Sequence, residues 1–321
     1  MPKKLALDPA KEWAKRQASV ASKDVKPTVH VAVVGHVDTG KSTLVGHLLN
    51  LLQLVDAKTM RQHQKQAAAI NKSSFVYAWA LDSSAEERER GVTIDTATMS
   101  FNLPDTNIVI LDNPGHKDFV ANMIRGSCRA DVGVLVISAM PNEFHSGFEG
   151  GGQTKEHAIL LRSMGIRRIL VAVNKMDQVE WAKSRFDELC SIMTDYLVNQ
   201  IGFKPDVVHF VPVSGLKGIN LVEPILLEGT GEEAALPQAL TSWYSGPSLT
   251  GILNGCTPRE MDPLGPTRFF VDDTSPGGMG NATVTCMGRL LRGSLQLQQQ
   301  VLLLPQRLYG VVKSKSSSVC H

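Results

Sequence analysis

Short runs of β-branched and other apolar residues recur along the chain and alternate with segments of helical periodicity. The apolar runs cover residues 31–34, 107–111, 132–137, 169–173 and 207–213. Between most of them, as in residues 181–197, apolar side chains repeat every three or four positions. This alternation predicts an α/β fold, a mostly parallel sheet with helices on both faces. Strict alternation over residues 97–103 predicts a half-buried edge strand.

The pattern changes beyond residue 245. Prolines and glycines punctuate the next stretch, and four strand-like runs follow, at residues 268–272, 282–291, 300–304 and 308–313. Turn residues between such runs are typical of a small β-barrel or sandwich. We therefore predict four segments in chain order. They are a polar N-terminal extension over 1–28, an α/β domain over 29–246, a linker over 247–266 and an incomplete β-barrel over 267–321.

Composition and charge exclude several classes of protein. Hydrophobic residues make up 43% and charged residues 20% of the 321 residues, so a sizeable core can form and wholesale disorder is excluded. The net charge of +2 excludes a strongly polybasic nucleic-acid binder. Apolar runs long enough for a membrane span or a signal peptide are missing. With five cysteines and no CxxC pair, we expect a cytoplasmic protein without membrane association.

Residues 35–42 form the strongest motif and have the pattern GxxxxGK[ST]. The motif lies between a predicted strand and a predicted helix. There, glycines let backbone N–H groups surround a polyphosphate, and the helix N-terminus adds a favourable dipole. We expect Lys41 to reach the β- and γ-phosphates and the Ser42 hydroxyl to bind Mg²⁺. The motif therefore predicts a site for a nucleoside triphosphate.

A second motif, Asn-Lys-Met-Asp at residues 174–177, follows a predicted strand. The Asp177 carboxylate can accept hydrogen bonds from N1–H and the exocyclic amine of guanine, a pair that adenine does not offer. We expect Asn174 to tie this loop to the phosphate loop and the Lys175 stem to cover one face of the base. Backbone N–H groups after the next strand can donate to the guanine carbonyl, namely those of Ser214, Gly215 and Leu216. The predicted base is guanine.

The stretch Asp-Asn-Pro-Gly-His at residues 112–116 lies between these two motifs. Asp112 ends an apolar strand and is expected to place a carboxylate beside Mg²⁺. Gly115 lets a backbone N–H approach the γ-phosphate. His116 follows directly and is expected to lie beside the attacking water, which makes it the predicted catalytic residue.

A charged run, residues 86–90, precedes Thr93. Most of the run is interpreted as a solvated helix face. Thr93 lies in a loop before the edge strand and can cap Mg²⁺ only while the γ-phosphate is present, which would make the order of this loop conditional on that phosphate. The predicted Mg²⁺ ligands are therefore Ser42, Thr93 and Asp112.

These motifs, in this order, resemble the translational GTPases of the elongation factor Tu and elongation factor one-alpha class, over roughly residues 29–245. The matching stretches read GHVDTGKST, ERERGVTID, DNPGHKDF, GQTKEHAILLRSMG and NKMD. The resemblance implies a P-loop NTPase domain that binds GTP or GDP with Mg²⁺ and hydrolyses GTP on the ribosome. It implies a hydrophobic gate at Val37 and Val92 that restrains His116. It also implies nucleotide contacts at Asp38, Thr39, Gly40 and Thr43.

Three stretches point to one branch of this class. Residues 142–153 look like the release-factor and ribosome-rescue GTPases, whereas residues 74–82 and 174–181 are most similar to the rescue GTPase that partners Pelota. This similarity implies a monomeric factor that delivers a tRNA-shaped, Pelota-like protein to stalled ribosomes, with GTP hydrolysis timing its release.

Two features depart from the class. Asn113 stands where the class usually has Ala, which puts the hydrolysis rate in question. The class also has two β-barrels after the GTPase domain, of which the first is partial here and the second missing. We therefore expect a C-terminally truncated chain with weakened partner binding. Two alternatives stay open: an elongation factor one-alpha-like carrier of aminoacyl-tRNA, and a truncated GTP-binding regulator without productive turnover.

Overall fold

The computed structural model divides the chain into two compact units. One is Pro27–Pro258, and the residues from Arg259 onward belong to the other. The structure describes residues 26–56, 58, 60–61, 75–79, 81, 87, 93–149, 151–223, 237–259, 262, 264–276 and 283–313. Residues 1–25 of the predicted extension and Val92 of the predicted gate lie outside these described residues.

A six-stranded sheet forms the centre of the unit Pro27–Pro258. The strands are β1 (Thr28–Val34), β2 (Ala97–Asn102), β3 (Asn107–Asp112), β4 (Val132–Ser138), β5 (Arg168–Asn174) and β6 (Val208–Pro212). Their spatial order is β2-β3-β1-β4-β5-β6, with the edge strand β2 antiparallel and the other strands parallel. The predicted mostly parallel sheet and its edge strand are confirmed.

Helices cover both faces of this sheet. Residues of β1 alternate between two core clusters, with Val31 and Val33 in one and Ala32 and Val34 in the other, as the two-residue period of a strand requires. The helices are α1 (Lys41–Leu51), α2 (Phe75–Ala78), α3 (Val120–Ser127), α4 (Pro141–Phe148), α5 (Gln153–Ser163), α6 (Lys183–Thr194), α7 (Gln238–Thr241) and α8 (Leu249–Asn254). Shorter turns are Lys117–Phe119, Met176–Val179 and Pro205–Val207, and a π-helical turn, Asp195–Gln200, follows α6.

The structure differs from the predicted linker over 247–266. The Ser248 hydroxyl accepts a hydrogen bond from the Gly251 N–H at 3.2 Å and caps α8. Leu249 and Leu253 of α8 are buried in the core of the unit, as is Cys256. Because these apolar side chains repeat at helical spacing, the chain packs onto the domain through Pro258 despite its glycines and prolines.

The unit that begins at Arg259 contains two antiparallel strand pairs. β7 (Arg268–Pro276) pairs with β8 (Val284–Arg292), and β9 (Gln300–Leu303) pairs with β10 (Leu308–Val311). The two small sheets resemble part of a β-barrel, as predicted. In neither unit do the described residues contain a helix that is long and apolar enough to cross a membrane.

Candidate functional site

A cavity of about 570 Å³ lies at the carboxyl ends of the parallel strands, where α/β proteins commonly bind ligands. Its walls include residues from every predicted motif. Three predicted residues, Thr39, Asp112 and Gly215, are buried and do not line the cavity. The predicted residues that do line it are Asp38, Gly40, Lys41, Ser42, Thr43, Thr93, Gly115, His116, Asn174, Lys175, Asp177, Ser214 and Leu216.

The phosphate loop turns tightly between β1 and α1. Asp38 has φ 61° and Gly40 has φ 84°, both in the left-handed region, which glycine adopts without steric cost. A side chain at position 40 would also collide with the Asn174 carboxamide, so glycine is required there on two counts. The Thr39 hydroxyl braces the turn by donating to the His36 carbonyl at 2.9 Å. Left-handed residues in such a turn direct successive N–H groups inward, as an anion site needs.

Lys41 places a buried cation at the start of α1. Its Nζ donates to the His36 carbonyl at 2.8 Å. Burial lowers the pKa of Lys41 to about 8, against the raising effects of the Asp112 and Asp38 carboxylates. A phosphate in the cavity would supply the counter-charge that favours the ammonium form.

The residues predicted to hold Mg²⁺ come together on one side of the cavity. The Ser42 and Thr93 hydroxyl oxygens are 3.0 Å apart and share a hydrogen bond. The Asp112 carboxylate is completely buried, and neither of its oxygens accepts a hydrogen bond from a described residue. Burial raises the pKa of Asp112 to about 6, against smaller lowering effects of the Ser42 hydroxyl and the Lys41 ammonium. A buried carboxylate without donors beside two hydroxyls suits a hard cation such as Mg²⁺.

Asn174 connects the loops on the other side of the cavity. Its Nδ2 donates to the Thr39 carbonyl at 2.8 Å, and its Oδ1 accepts from the N–H groups of Lys175 and Gly215, each at 2.8 Å. The side chain is almost fully buried, which strengthens these bonds. The phosphate loop and the two loops predicted to bind the base are therefore held in one fixed arrangement.

The turn at Ser214–Leu216 differs from the prediction that all three N–H groups can donate to a base. The Ser214 N–H donates to the Ile219 carbonyl at 3.1 Å, and the Gly215 N–H is engaged by Asn174. The N–H of Leu216, which lines the cavity, has no acceptor among the described residues. Leu216 is an exposed residue, so its N–H is accessible, and this turn offers a ligand one backbone donor instead of three.

Asp177 presents a carboxylate that is only 3% exposed. It accepts a hydrogen bond from Gln178 Nε2 at 2.9 Å, and the Lys217 ammonium lies 3.6 Å away. Because both neighbours are near the surface, they can be rearranged at little cost when a ligand supplies other donors to the carboxylate.

Glu143 on α4 is a cavity residue that the sequence analysis missed. The Lys175 ammonium donates to both of its carboxylate oxygens, at 2.9 Å and 2.7 Å, and the Ser138 hydroxyl donates to one of them at 2.6 Å. This ion pair holds the lysine stem over the cavity. The contact joins positions 32 apart in sequence, and no local pattern indicates it.

His116 lines the cavity, as do Val37 and Gly115, and 39% of its side chain is exposed. Its Nδ1 accepts from the Asp118 N–H at 3.3 Å and so caps the turn Lys117–Phe119. With Nδ1 engaged, Nε2 is the ring nitrogen available to a water molecule.

Glu87 is an exception to the interpretation of the charged run as mostly a solvated helix face, and the other four residues of the run lie outside the described residues. It is 4% exposed, and its Oε1 accepts from the N–H groups of Ile94 and Asp95 at 3.0 Å and 3.2 Å. Backbone donors in an irregular segment need acceptors, and this carboxylate supplies one. The residue therefore supports the loop that carries Thr93.

The start of α5 braces the phosphate loop from behind. The fully buried His157 accepts from the Gly35 N–H through Nδ1 at 3.2 Å, and the His36 ring lies 2.5 Å from Gln153 Oε1. Burial, followed by the nearby Lys41 and His36, lowers the pKa of His157 to about 3. The ring is therefore neutral in the folded protein at pH 5 and above.

His157→Gln is expected to flatten the pH dependence of stability. The folded-state pKa of about 3 lies below the ordinary value of 6.5, so the stability present above pH 6.5 is lost as the pH falls toward 3. At pH 5 this one group removes about 2 kcal/mol from the free energy of unfolding. Urea unfolding at pH 7.5 and pH 5 measures the loss in the wild type, the variant and the exposed control His209→Gln. An equal loss in all three would contradict the assignment.

Comparisons with known proteins agree with this geometry. The model of the family described as "Elongation factor Tu GTP binding domain" matches residues 26–246. Over 276 residues the chain is 41% identical to an elongation factor 1 alpha-like protein of Schizosaccharomyces pombe, covering 85% of this chain and 44% of that protein. It is also 41% identical to elongation factor 1-alpha of Ignicoccus hospitalis, covering 91% and 64%, and to protein HBS1 of Drosophila melanogaster, covering 91% and 42%. The chain thus spans less than two thirds of the length of each.

Solved structures show the same fold. Sup35 complexed with GDP is 28% identical, with a TM-score of 0.53, covering 90% of this chain and 58% of that one. The Saccharomyces cerevisiae Ski7 GTPase-like domain, bound to GDP and inorganic phosphate, has a TM-score of 0.71. Its identity is 22%, with 92% of this chain and 65% of that one covered, so this second likeness concerns the fold alone.

Proposed function

Because this chain belongs to the family of the elongation factor Tu GTP binding domain, we propose that it is a translation factor that binds and hydrolyses GTP. The observation that carries the proposal is the single cavity into which the phosphate loop, Thr93, His116 and the residue 174–177 loop all converge. The nucleotide is GTP or GDP. The residues proposed to contact it are those predicted residues that line the cavity, whereas Thr39 and Gly215 support the loops from behind.

Guanine is selected by Asp177 and Leu216. The nearly buried carboxylate of Asp177 accepts from N1–H and from the exocyclic amine, while the Leu216 N–H donates to the guanine carbonyl. Adenine presents the opposite pattern and would leave a buried carboxylate unpaired. The Lys175 stem, held by Glu143, covers one face of the base.

The phosphates lie against the N-terminus of α1. Lys41 donates to the β- and γ-phosphates, helped by backbone N–H groups of Asp38, Gly40 and Gly115. Ser42, Thr93 and Asp112 would hold Mg²⁺, which would supply positive charge against the phosphate oxygens.

His116 orients the water that attacks the γ-phosphate. The catalytic effect comes from positioning and from preorganised charge. The His116 ring is partly exposed and lines the cavity, as does Val37. We propose that the ribosome completes the arrangement, so that hydrolysis by the isolated chain is slow.

The finer proposal is that the chain is a monomeric, cytoplasmic factor of the ribosome-rescue branch that delivers a Pelota-like, tRNA-shaped protein to stalled ribosomes. Its support is the sequence of residues 74–82, 142–153 and 174–181, together with the similarity to HBS1. The identity to an elongation factor 1-alpha is equal, at 41%. A carrier of aminoacyl-tRNA is therefore the second candidate.

GTP turnover tests both levels of the proposal. The chain is assayed alone, with vacant ribosomes, and with ribosomes plus either a Pelota-like protein or aminoacyl-tRNA. We expect slow turnover alone and stimulation of about 10²-fold or more with the Pelota-like protein. His116→Ala should lower the stimulated rate by about 10²- to 10⁴-fold, whereas the exposed control His209→Ala should leave it unchanged.

Each outcome addresses a different level. Stimulation by aminoacyl-tRNA instead of the Pelota-like protein would transfer the chain to the carrier branch. Binding of GTP without stimulation by any mixture would leave a nucleotide-binding regulator. Failure to bind GTP would refute the proposed function itself.

A further inference from the structure

Asn113, the residue that departs from the class, is completely buried between two strands of the sheet. Its Nδ2 donates to the carbonyl groups of Val33 at 3.1 Å and Leu111 at 2.9 Å. Its backbone N–H also donates to the Val33 carbonyl, at 3.2 Å. The carboxamide is therefore anchored to the ends of β1 and β3, and the direction of its oxygen is fixed.

That oxygen faces the loop that carries Thr93. Asn113 Oδ1 accepts from the Thr96 hydroxyl at 3.1 Å, and the same hydroxyl lies 3.2 Å from the Asn122 carbonyl. The Asn122 carboxamide in turn donates to the Ile94 carbonyl at 3.0 Å and to the Asp95 carboxylate at 2.9 Å. Asn113 and Asn122 thus hold the loop of residues 94–96 from the side of the sheet and α3.

Gly126 on α3 provides the space for this contact. A side chain at position 126 would collide with Asn113 Oδ1 and with the Thr96 hydroxyl. An alanine at position 113 would reach neither the strand carbonyls nor Thr96, because it carries no polar group. The hydrogen bond between Asn113 and Thr96 is therefore specific to an asparagine at this position.

We propose that Asn113 is a positioning residue that holds the Thr93–Thr96 loop where the Thr93 hydroxyl meets Ser42, and thereby raises the affinity for GTP with Mg²⁺ relative to GDP. The inference rests on the proposed function, because it needs a guanine nucleotide in the cavity. The Thr93 and Ser42 hydroxyl oxygens are 3.0 Å apart, so the Asn113 network supports the loop in the position that places Thr93 beside Ser42. GDP has no γ-phosphate and gains nothing from this placement of Thr93. A nucleotide favours one position of the loop only if it binds the protein with that position more tightly than with another, and GTP with Mg²⁺ is the nucleotide that gains from this one.

The test measures two affinities for each of several variants of the full 321-residue chain. The probes are a fluorescent GDP and a fluorescent non-hydrolysable GTP analogue, both with Mg²⁺. Asn113→Ala should weaken binding of the analogue about tenfold, because it removes buried hydrogen bonds, and should change GDP binding less than about twofold. The exposed control Asn199→Ala, whose carboxamide contacts Asp195, should leave both affinities unchanged.

Thr96→Val removes the other partner while keeping the shape of the side chain. It should weaken analogue binding in the same direction. The effect of the double variant should be smaller than the sum of the two single effects, since both changes remove the shared hydrogen bond and Thr96→Val removes only the contact with the Asn122 carbonyl in addition. Gly126→Ala should act in the same way by displacing that bond. If Asn113→Ala does not fold, Thr96→Val still provides the test, because it leaves the strand contacts of Asn113 intact.

The outcomes separate this inference from the proposed function. Equal weakening of GDP and analogue binding would show a general structural role and overturn the inference, as would unchanged binding of both. Additive effects of Asn113→Ala and Thr96→Val would also overturn it. A wild-type chain that binds neither nucleotide would instead refute the proposed function.

Discussion

Lys41→Met is expected to lower the affinity for both GTP and GDP by about 10²- to 10³-fold. The Lys41 ammonium is buried, and its hydrogen bond in the described structure goes to the His36 carbonyl, so its charge is available to a phosphate. A hydrogen bond between a buried cation and an anion contributes about 1.5–3 kcal/mol. The Lys41 ammonium is proposed to donate such bonds to both the β- and the γ-phosphate. Methionine keeps the length of the side chain and removes the charge, so the loss isolates the electrostatic contribution.

Equilibrium binding of fluorescent GDP and of a non-hydrolysable GTP analogue measures this effect. Lys183→Met is the matched control, because Lys183 is exposed and pairs with Asp187 on the surface of α6. A Lys41→Met chain that binds either nucleotide within about threefold of the wild type would show that the phosphates do not lie against the start of α1.

Asp177→Asn is expected to reverse the base preference of the site. The carboxylate offers two acceptors to the N1–H and exocyclic amine of guanine, whereas an amide offers one acceptor and one donor. The donor would face the guanine amine, and we expect GDP affinity to fall by about 10²-fold or more. Xanthine carries a carbonyl in place of that amine, so xanthosine diphosphate should bind the variant more tightly than it binds the wild type.

Competition between the two diphosphates for the site measures the reversal. Asp206→Asn, a change at an exposed carboxylate in the turn Pro205–Val207, serves as the control and should keep the guanine preference. If Asp177→Asn lowered the affinities for guanine and xanthine nucleotides alike, the side chain would have a structural role and the base would be recognised elsewhere.

The proposed switch between the GTP and GDP states depends on the loop that carries Thr93. The sequence predicts only that this loop precedes the edge strand. The structure adds what holds that loop: the carboxylate of Glu87 from one side, and Asn113 with Asn122 from the other. In the sequence, Glu87 is one acidic residue in a charged run, and Asn113 is a departure from the class without an evident role. Their partners lie on other elements, so local spacing could not reveal them.

The base site shows the same division. Asp177, Lys175 and Leu216, the residues proposed to contact the base, lie after the strands at the cavity. The sequence indicates these positions because apolar runs mark the ends of strands and parallel strands end at one edge. The use of the Gly215 N–H by Asn174 was not predictable, because that bond joins positions 41 apart. Glu143 was missed for a similar reason.

By itself the sequence determined the elements and the order of the motifs. Local backbone preferences depend on neighbouring residues and can therefore be predicted from the sequence. Examples are the two-residue period of β1, the helical period of α6 and the glycines of the phosphate loop. Only the tertiary structure decided which polar side chains meet. The bonds from Gly35 to His157, Thr39 to Asn174 and Thr96 to Asn113 join positions 122, 135 and 17 apart. A buried polar group needs a hydrogen-bond partner, and the packing of the chain decides which group that is. The periodicity of the sequence predicts that a residue is buried, but it does not predict its partner.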